Sequence, residues 1–276
     1  MEWKKDADDA VKKVPFFVRK KVRARVEEQA RAAGRKAVSL ADVKAAQTRF
    51  LAKMSEEVKG YQIEACFAAS GCPNRAIQSD RLMERIEKRM AKANLLAFLK
   101  ERVQGELKYH HEFRITLADC PNACSQPQIK DIGIIGAVQP EIAHLECTRC
   151  DACVEACPDD CISVDPNLDQ PLVDFEKCTA CGKCVQVCPS GTIGQEQKGY
   201  RVQLGGKLGR HPRLARELPG IFQEDEILEI VQYCINFYKE NSIRGERFAE
   251  LFKASDLDVL VEKLHRNQTG MQTGGH

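Results

Sequence analysis

Cys147-Thr148-Arg149-Cys150-Asp151-Ala152-Cys153-Val154-Glu155-Ala156-Cys157-Pro158 recurs as Cys178-Thr179-Ala180-Cys181-Gly182-Lys183-Cys184-Val185-Gln186-Val187-Cys188-Pro189. In each run three cysteines are separated by two residues, a fourth follows after three more, and proline closes the run. Three thiolates at that spacing wrap one side of a cubane of iron and sulfide, and the chain then carries the fourth away to the neighbouring cube. This assigns Cys147, Cys150, Cys153 and Cys188 to one [4Fe–4S] cluster and Cys178, Cys181, Cys184 and Cys157 to a second.

The repeat resembles the two-cluster bacterial ferredoxins. Paired zinc ribbons are the alternative for CxxC knuckles, but they leave the third cysteine of each run and both prolines without a role. Cys161 stands where that family has a small apolar residue; it reads as a buried thiol beside the cluster rather than a ligand.

A second constellation is Cys66-x5-Cys72 and, 48 residues on, Cys120-x3-Cys124. Spacing alone suits either a [4Fe–4S] cube or structural zinc. The residues around it, Leu117-Ala118-Asp119-Cys120-Pro121-Asn122-Ala123-Cys124-Ser125-Gln126 with Ile132-Gly133-Ile134-Ile135-Gly136, resemble the sirohaem-dependent sulfite and nitrite reductase family. The likeness continues through Gly205-Gly206-Lys207-Leu208-Gly209-Arg210-His211-Pro212, and is to the small anaerobic and dissimilatory-type subunits. It implies a cluster on Cys66, Cys72, Cys120 and Cys124, with Cys124 supplying the sulfur that bridges to sirohaem. It also implies a reductase domain into which the ferredoxin is inserted, and electrons passing from ferredoxin clusters to the third cluster for reduction of sulfite or nitrite. Sirohaem carboxylates want basic and amide donors; the candidates are Arg75, Asn122, Gln126, Lys207, Arg210 and Arg213, each with a reading as a solvated charge or amide. His211, before a proline, reads as structural.

That family clasps sirohaem between two related halves, and only the cysteine-bearing half is expected here. In place of the other stand residues 1–57, similar through Trp3, Pro15-Phe16-Phe17-Val18-Arg19, Glu27, Ala30 and Gly34 to the C-terminal helical domain of a light-independent protochlorophyllide reductase subunit. That likeness implies a docking module. From the residues themselves, Val18, Val22, Val26 and Ala30 form a stripe at helical spacing with Gly34 stopping it, and Ser39 with Asp42 caps a helix bearing Leu40, Val43, Ala46 and Phe50.

Elsewhere the pattern predicts one helix over 79–103 (Leu82, Ile86, Met90, Leu95, Leu99 and Val103 inward). Strands are expected at Phe113–Leu117, at Ile132–Val138 broken by Gly133 and Gly136, and at Tyr200–Leu204. Helices are expected over 223–240 and 244–265. Cys234 lies on the apolar face of the first of these with Ile227, Val231 and Tyr238, and reads as core. The expected fold class is α+β: a helical module (1–57), a discontinuous reductase-type α/β half-domain (60–146 and 199–265), an inserted two-cluster ferredoxin (147–198) and a disordered tail (266–276).

Composition narrows the rest. Fourteen cysteines behind a start without a signal-peptide core argue for metal ligation in a reducing cytoplasm rather than a disulfide framework. No membrane span is expected. The net charge of +2 draws the chain to neither nucleic acid nor membrane, although residues 1–50 hold 14 Lys and Arg against 7 Asp and Glu, the mark of a solvated face or of an acidic partner. Three functions stay open: a sulfite- or nitrite-type reductase whose sirohaem pocket a second subunit or protomer completes, an electron-transfer subunit with three clusters and no sirohaem serving a redox partner, and a tetrapyrrole-handling role.

Overall fold

The structure, a computed structural model, describes residues 1–165 and 170–272, with side chains through 266. It comprises two compact units, Met1–Val58 with Val103–His111, and Lys59–Arg102 with Glu112–His276. The helical module therefore also recruits 103–111, beyond the expected boundary at 57.

In the N-terminal unit, α1 (Lys5–Lys12), α2 (Phe16–Ala32) and α3 (Leu40–Glu57) accompany a two-stranded parallel ribbon of β1 (Glu2–Trp3) and β2 (Ala37–Val38). Gly34 follows α2 at φ +68°. Ser39 opens α3 through a capping box in which the Asp42 carboxylate accepts the Ser39 N–H at 2.9 Å. Ala7, Val26, Ala30 and Val38 form the buried centre, with Trp3, Val22, Val43 and Ala46 around it. Trp3 donates its indole N–H to Glu27 at 2.7 Å while Arg23 lies 4.2 Å from the ring centre. Phe50 is 49% exposed; the small core is already closed by Ala46 and Val43, one and two turns earlier.

The larger unit is built on a five-stranded sheet in the order β3 (Tyr61–Ala65), β4 (Phe113–Ala118), β5 (Ile132–Ile142), β8 (Ile193–Leu204), β9 (Arg216–Glu217). The first three strands run parallel, β8 pairs antiparallel with β5, and β9 antiparallel with β8. Between β3 and β4 lie α4 (Asp80–Lys92) and α5 (Leu95–Arg102), where the pattern predicts one helix. The chain breaks at Asn94, whose φ is +51°, a conformation asparagine tolerates. The break is needed because Met90 and Leu95, five residues apart, cannot both follow Leu82 and Ile86 inward on one uninterrupted face.

The expected strand at 132–138 is longer and is not broken by its glycines. Both instead admit close neighbours: a Cβ on Gly133 would stand 2.4 Å from the Pro127 carbonyl oxygen, and one on Gly136 2.7 Å from that of Asp119. The strand at 200–204 is also longer than expected, so the boundary placed at 198/199 falls inside β8. Strands β5 and β8 form one ribbon, from Ile132↔Leu204 to Ile142↔Ile193, with the register shift at Gln139/Pro140, where proline lacks the N–H for a regular ladder. The cysteine-rich lobe is strung between the ends of this ribbon. It contains α6 (Ala152–Ala156), α7 (Lys183–Val187) and the hairpin of β6 (Ile162–Val164) with β7 (Pro171–Val173).

Helix α8 (Glu224–Asn241) packs on α4 and β8 and buries Ile227, Val231, Cys234 and Tyr238 as the periodicity predicts. The expected helix at 244–265 is split into α9 (Phe248–Leu251) and α10 (Ala254–Gln272). Phe252 at the split packs against Phe237 and Phe248. Residues 266–272, expected to be a disordered tail, continue α10, each added residue completing one more backbone hydrogen bond; 273–276 lie outside the described residues. Among the described residues no helix is long and apolar enough to cross a membrane.

Gly136→Ala is expected to lower stability by about 1–3 kcal/mol, the cost of overpacking against backbone, seen as a lower denaturant midpoint of the anaerobic protein. An unchanged midpoint would show that the Asp119 backbone can retreat.

Candidate functional site

Strands β3 and β4 are parallel and paired from Tyr61↔Phe113 to Ala65↔Leu117, so their following loops leave the sheet at the same edge. Cys66 follows β3 directly and continues the ladder by donating its N–H to the Leu117 oxygen at 2.9 Å. Cys120 follows β4 after one residue, Asp119. Cys72 ends the short 3₁₀ turn after Cys66, and Cys124 the tight turn after Cys120, where Ala123 takes φ +52°. The four sequence-predicted thiols are thereby brought together: burial raises the Cys120 pKa, and the charges of Cys66, Cys72 and Cys124 raise it further. Cys120 is buried and Cys124 exposed.

The two cysteine runs exchange their fourth members. Cys147, Cys150, Cys153 and Cys188 line one small pocket, with Val164, Pro171 and Ile193 in its wall. Cys157, Cys178, Cys181 and Cys184 line another. Each run turns through left-handed residues at matching offsets, Arg149 and Asp151 in the first, Ala180 and Gly182 in the second; such turns gather backbone N–H groups into a concave nest suited to anions. Arg149 donates its N–H to the Cys147 sulfur at 3.4 Å and Ile193 to that of Cys188 at 3.3 Å. Burial acts to raise the Cys188 pKa, but donors from Ile193, Ser190 and Gly191 outweigh it and hold the thiol below its usual range. Burial pushes Cys184 up to about 12. Among the described residues no group of three or more His, Cys, Asp or Glu side chains converges on a point as a single metal ion requires. With four sulfur donors lining each pocket, the residues fit the all-thiolate ligand sets of iron–sulfur clusters.

Cys161 is buried, its sulfur 3.3 Å from that of Cys157, and burial followed by that contact pushes its pKa up to about 12. It lines the second cavity as a fifth thiol. Cys234 is fully buried in α8.

The lobe folds back on its own root. Ladder pairing of β4 with β5 ends at Ala118↔Ile135; further along β5, Val138 donates its N–H to the Ala180 oxygen at 2.8 Å and bridges to Cys181. Val138 also packs with Ala76 and Cys120, and Val185, the neighbour of Cys184, packs against this cluster. The second cavity therefore adjoins the strand-end thiols.

The basic candidates are differently placed. Arg75 is committed to carboxylates, its Nε donating to Asp119 at 2.5 Å and its Nη2 to Asp80. Lys207 pairs with Glu250 at 3.0 Å. Arg213 is consumed by main-chain oxygens, Gly205 at 3.1 Å, Phe252 at 3.0 Å and Ala249. Asn122, Gln126, Arg210 and His211 are exposed. The turn carrying Lys207 and Arg210 lies beside the loop carrying Asn122, Cys124 and Gln126, because Gly206 donates its N–H to the Lys130 oxygen at 2.8 Å and Ala215 to that of Gln128 at 2.8 Å. Sequence reasoning passes over Asp119 and Ser79; an acid between a strand end and a cysteine has no periodicity to mark it.

Residues 59–271 match the nitrite and sulphite reductase 4Fe-4S domain family, and residues 3–47 match the proto-chlorophyllide reductase 57 kD subunit family. A coenzyme F420-dependent sulfite reductase of Methanocaldococcus jannaschii is 31% identical over 156 residues, 56% of this chain and 25% of that protein. An anaerobic sulfite reductase subunit of Salmonella typhimurium is 31% identical over 211 residues, 72% of this chain and 60% of that one. The chain thus spans about a quarter and 60% of these relatives' lengths. The crystal structure of dissimilatory sulfite reductase I overlays 78% of this chain and 56% of its own at 16% identity, with a TM-score of 0.49. The chain belongs to the nitrite and sulphite reductase 4Fe-4S domain family.

In the metal-loaded protein, Cys161 and Cys234 are expected to react with iodoacetamide about ten-fold or more slowly than after denaturation, since burial suppresses the thiolate. Mass spectrometry at timed intervals measures this, and rapid native labelling of Cys161 would contradict its burial.

Proposed function

We propose that this member of the sulfite reductase-type iron–sulfur family is an oxidoreductase that brings electrons through three [4Fe–4S] clusters to sirohaem for reduction of sulfite or nitrite. Cys147, Cys150, Cys153 and Cys188 would hold one cluster, Cys157, Cys178, Cys181 and Cys184 a second, and Cys66, Cys72, Cys120 and Cys124 a third. The observation that carries this reading is the crossing of the two runs into separate cavities, one of which adjoins Cys120 through Val138 and Val185.

Bound clusters supply one-electron storage at potentials tuned by hydrogen bonds and exposure. The chain's own part is to gather the thiols, direct backbone N–H groups at sulfur, and exclude water from the contact of Val138, Val185 and Cys120. The adjacency also orders the sets: the cavity of Cys147 and Cys188, with Cys150 exposed, is the outer one, where a redox partner would deliver. Exposed Cys124 would face sirohaem, with Asn122, Gln126 and Arg210 beside it as donors to its carboxylates, and a second subunit or protomer would complete the pocket. The N-terminal unit would serve as a docking module, and free cysteines throughout suit a reducing cytoplasm.

A second reading, an electron-transfer subunit without sirohaem, is favoured by the commitment of Arg75 and Lys207 to carboxylates, which withdraws two of the expected cations from anion binding.

Anaerobically purified protein is expected to contain about twelve iron atoms per chain, and Cys184→Ser or Cys120→Ser each about four fewer. Co-expression with sirohaem synthesis should add an extractable tetrapyrrole and sulfite or nitrite reduction with a low-potential donor. Full iron with neither would select the second reading; zinc, or iron near four atoms per chain, would overturn both.

A further inference from the structure

The structure assigns to Asp119, acting with Arg75, the role of a positioning residue that holds the two strand-end cysteine loops in one frame and balances the charge beside them. The inference rests on the reading that Cys66, Cys72, Cys120 and Cys124 hold a cluster.

Those four thiols come from two segments 48 residues apart in the chain, and strand pairing aligns only where the loops begin. Beyond that point Asp119 makes the connection through every polar group it has. Its N–H donates to the Cys66 sulfur at 3.4 Å. Its carbonyl oxygen accepts from the N–H groups of Ala76 at 3.0 Å and Ile77 at 3.1 Å. Its carboxylate accepts from the Ser79 hydroxyl and from Arg75 Nε at 2.5 Å. All five donors or acceptors lie in the 66–79 segment, while Asp119 itself is joined by one peptide bond to Cys120. Arg75 is just as near the other loop, donating its own N–H to the Cys72 oxygen at 3.3 Å. The pair therefore spans the two loops at one and three residues from a thiol.

The charges matter because the pair is shielded from water. Asp119 is 3% exposed, so loss of Arg75 leaves its carboxylate poorly screened, whereas Arg75 without Asp119 keeps only its pair with the exposed Asp80. With Asp119 neutralised, Arg75 is opposed by Asp80 alone, a change that favours the more negative, reduced cluster; an unopposed Asp119 disfavours it. Asp119→Asn keeps the shape and removes the negative charge, and Arg75→Gln removes the positive one. A purely structural pair would not give effects of opposite sign.

The test is a redox titration of the full-length, cluster-loaded protein monitored by electron paramagnetic resonance. The third centre is identified as the signal that Cys120→Ser abolishes. In Asp119→Asn its midpoint is expected to move upward and in Arg75→Gln downward, with the two ferredoxin-type signals unmoved. Selective loss of the third signal from Asp119→Asn, with both other centres intact, would equally support the positioning role. Retention of the signal at an unchanged midpoint in both variants, or shifts in the same direction, would overturn it. Should Asp119→Asn fail to fold, Ser79→Ala decides. It removes one donor to the same carboxylate without changing any charge, and should speed iron loss from the third centre alone; unaltered iron retention would sink the proposal. Wild-type protein that never shows a third centre would instead refute the cluster reading on which the inference rests.

Discussion

In-register parallel pairing of β3 with β4 sets the position of the four strand-end thiols, Cys66, Cys72, Cys120 and Cys124. Parallel neighbours end on the same side of a sheet, which is why open α/β sheets bind ligands beyond the carboxyl ends of their strands. Here the last paired residues are Ala65 and Leu117, and cysteine loops follow both at once. A slip of one residue would turn each strand's side chains to the opposite face and separate Cys66 from Cys120. The register is held from below by buried Ile115 and Leu117, whose place in the core leaves no equivalent alternative. The connection from β4 to β5 is short for a parallel crossover and carries no α-helix, and it uses its length to present Cys120 and Cys124.

A further consequence concerns the lobe itself. Strand β4 stops at Ala118 to release its loop, leaving the outer part of β5 without a partner on that side. Ala180 and Cys181 take the vacant ladder position at Val138. The cysteine-rich lobe is thus seated against the strand-end thiols by the hydrogen-bonding need of an unfinished strand. Gly182, at φ +70°, permits the approach: a side chain there would meet the Val138 Cβ at 2.6 Å. The long β5–β8 ribbon carries both strands of the connection, so the lobe is tethered at two points and folded back at a third.

How much of this is legible in the chain varies with the range of the interaction. The spacing behind the proposed crossing of Cys157 and Cys188 is local, since thiols on short loops are confined by a few residues of backbone. The buried faces of α4 and α8 can be read too, since periodicity states which side is apolar. Gly133 and Gly136 read wrongly as strand breakers, because a glycine that ends a strand and one that admits a neighbour look alike until the neighbour is known. The same holds for Arg75 and Lys207: cations near cysteine loops suggest anion binding, and only the folded chain sets Asp119 and Glu250 against them.

What is written in the order of residues is local: a repeated run of cysteines closed by proline, two further cysteine pairs, amphipathic helices, and strands leading into thiol loops. Folding was needed to establish which groups lie next to each other, which cations are already neutralised, and that Asp119 joins the two halves of the strand-end set. The difference is one of distance along the chain. Thiol spacing and apolar periodicity act over a few residues and are encoded locally. The meeting of Cys66 with Cys120, or of Ala180 with Val138, depends on strand register across dozens of residues and exists only once the sheet has closed.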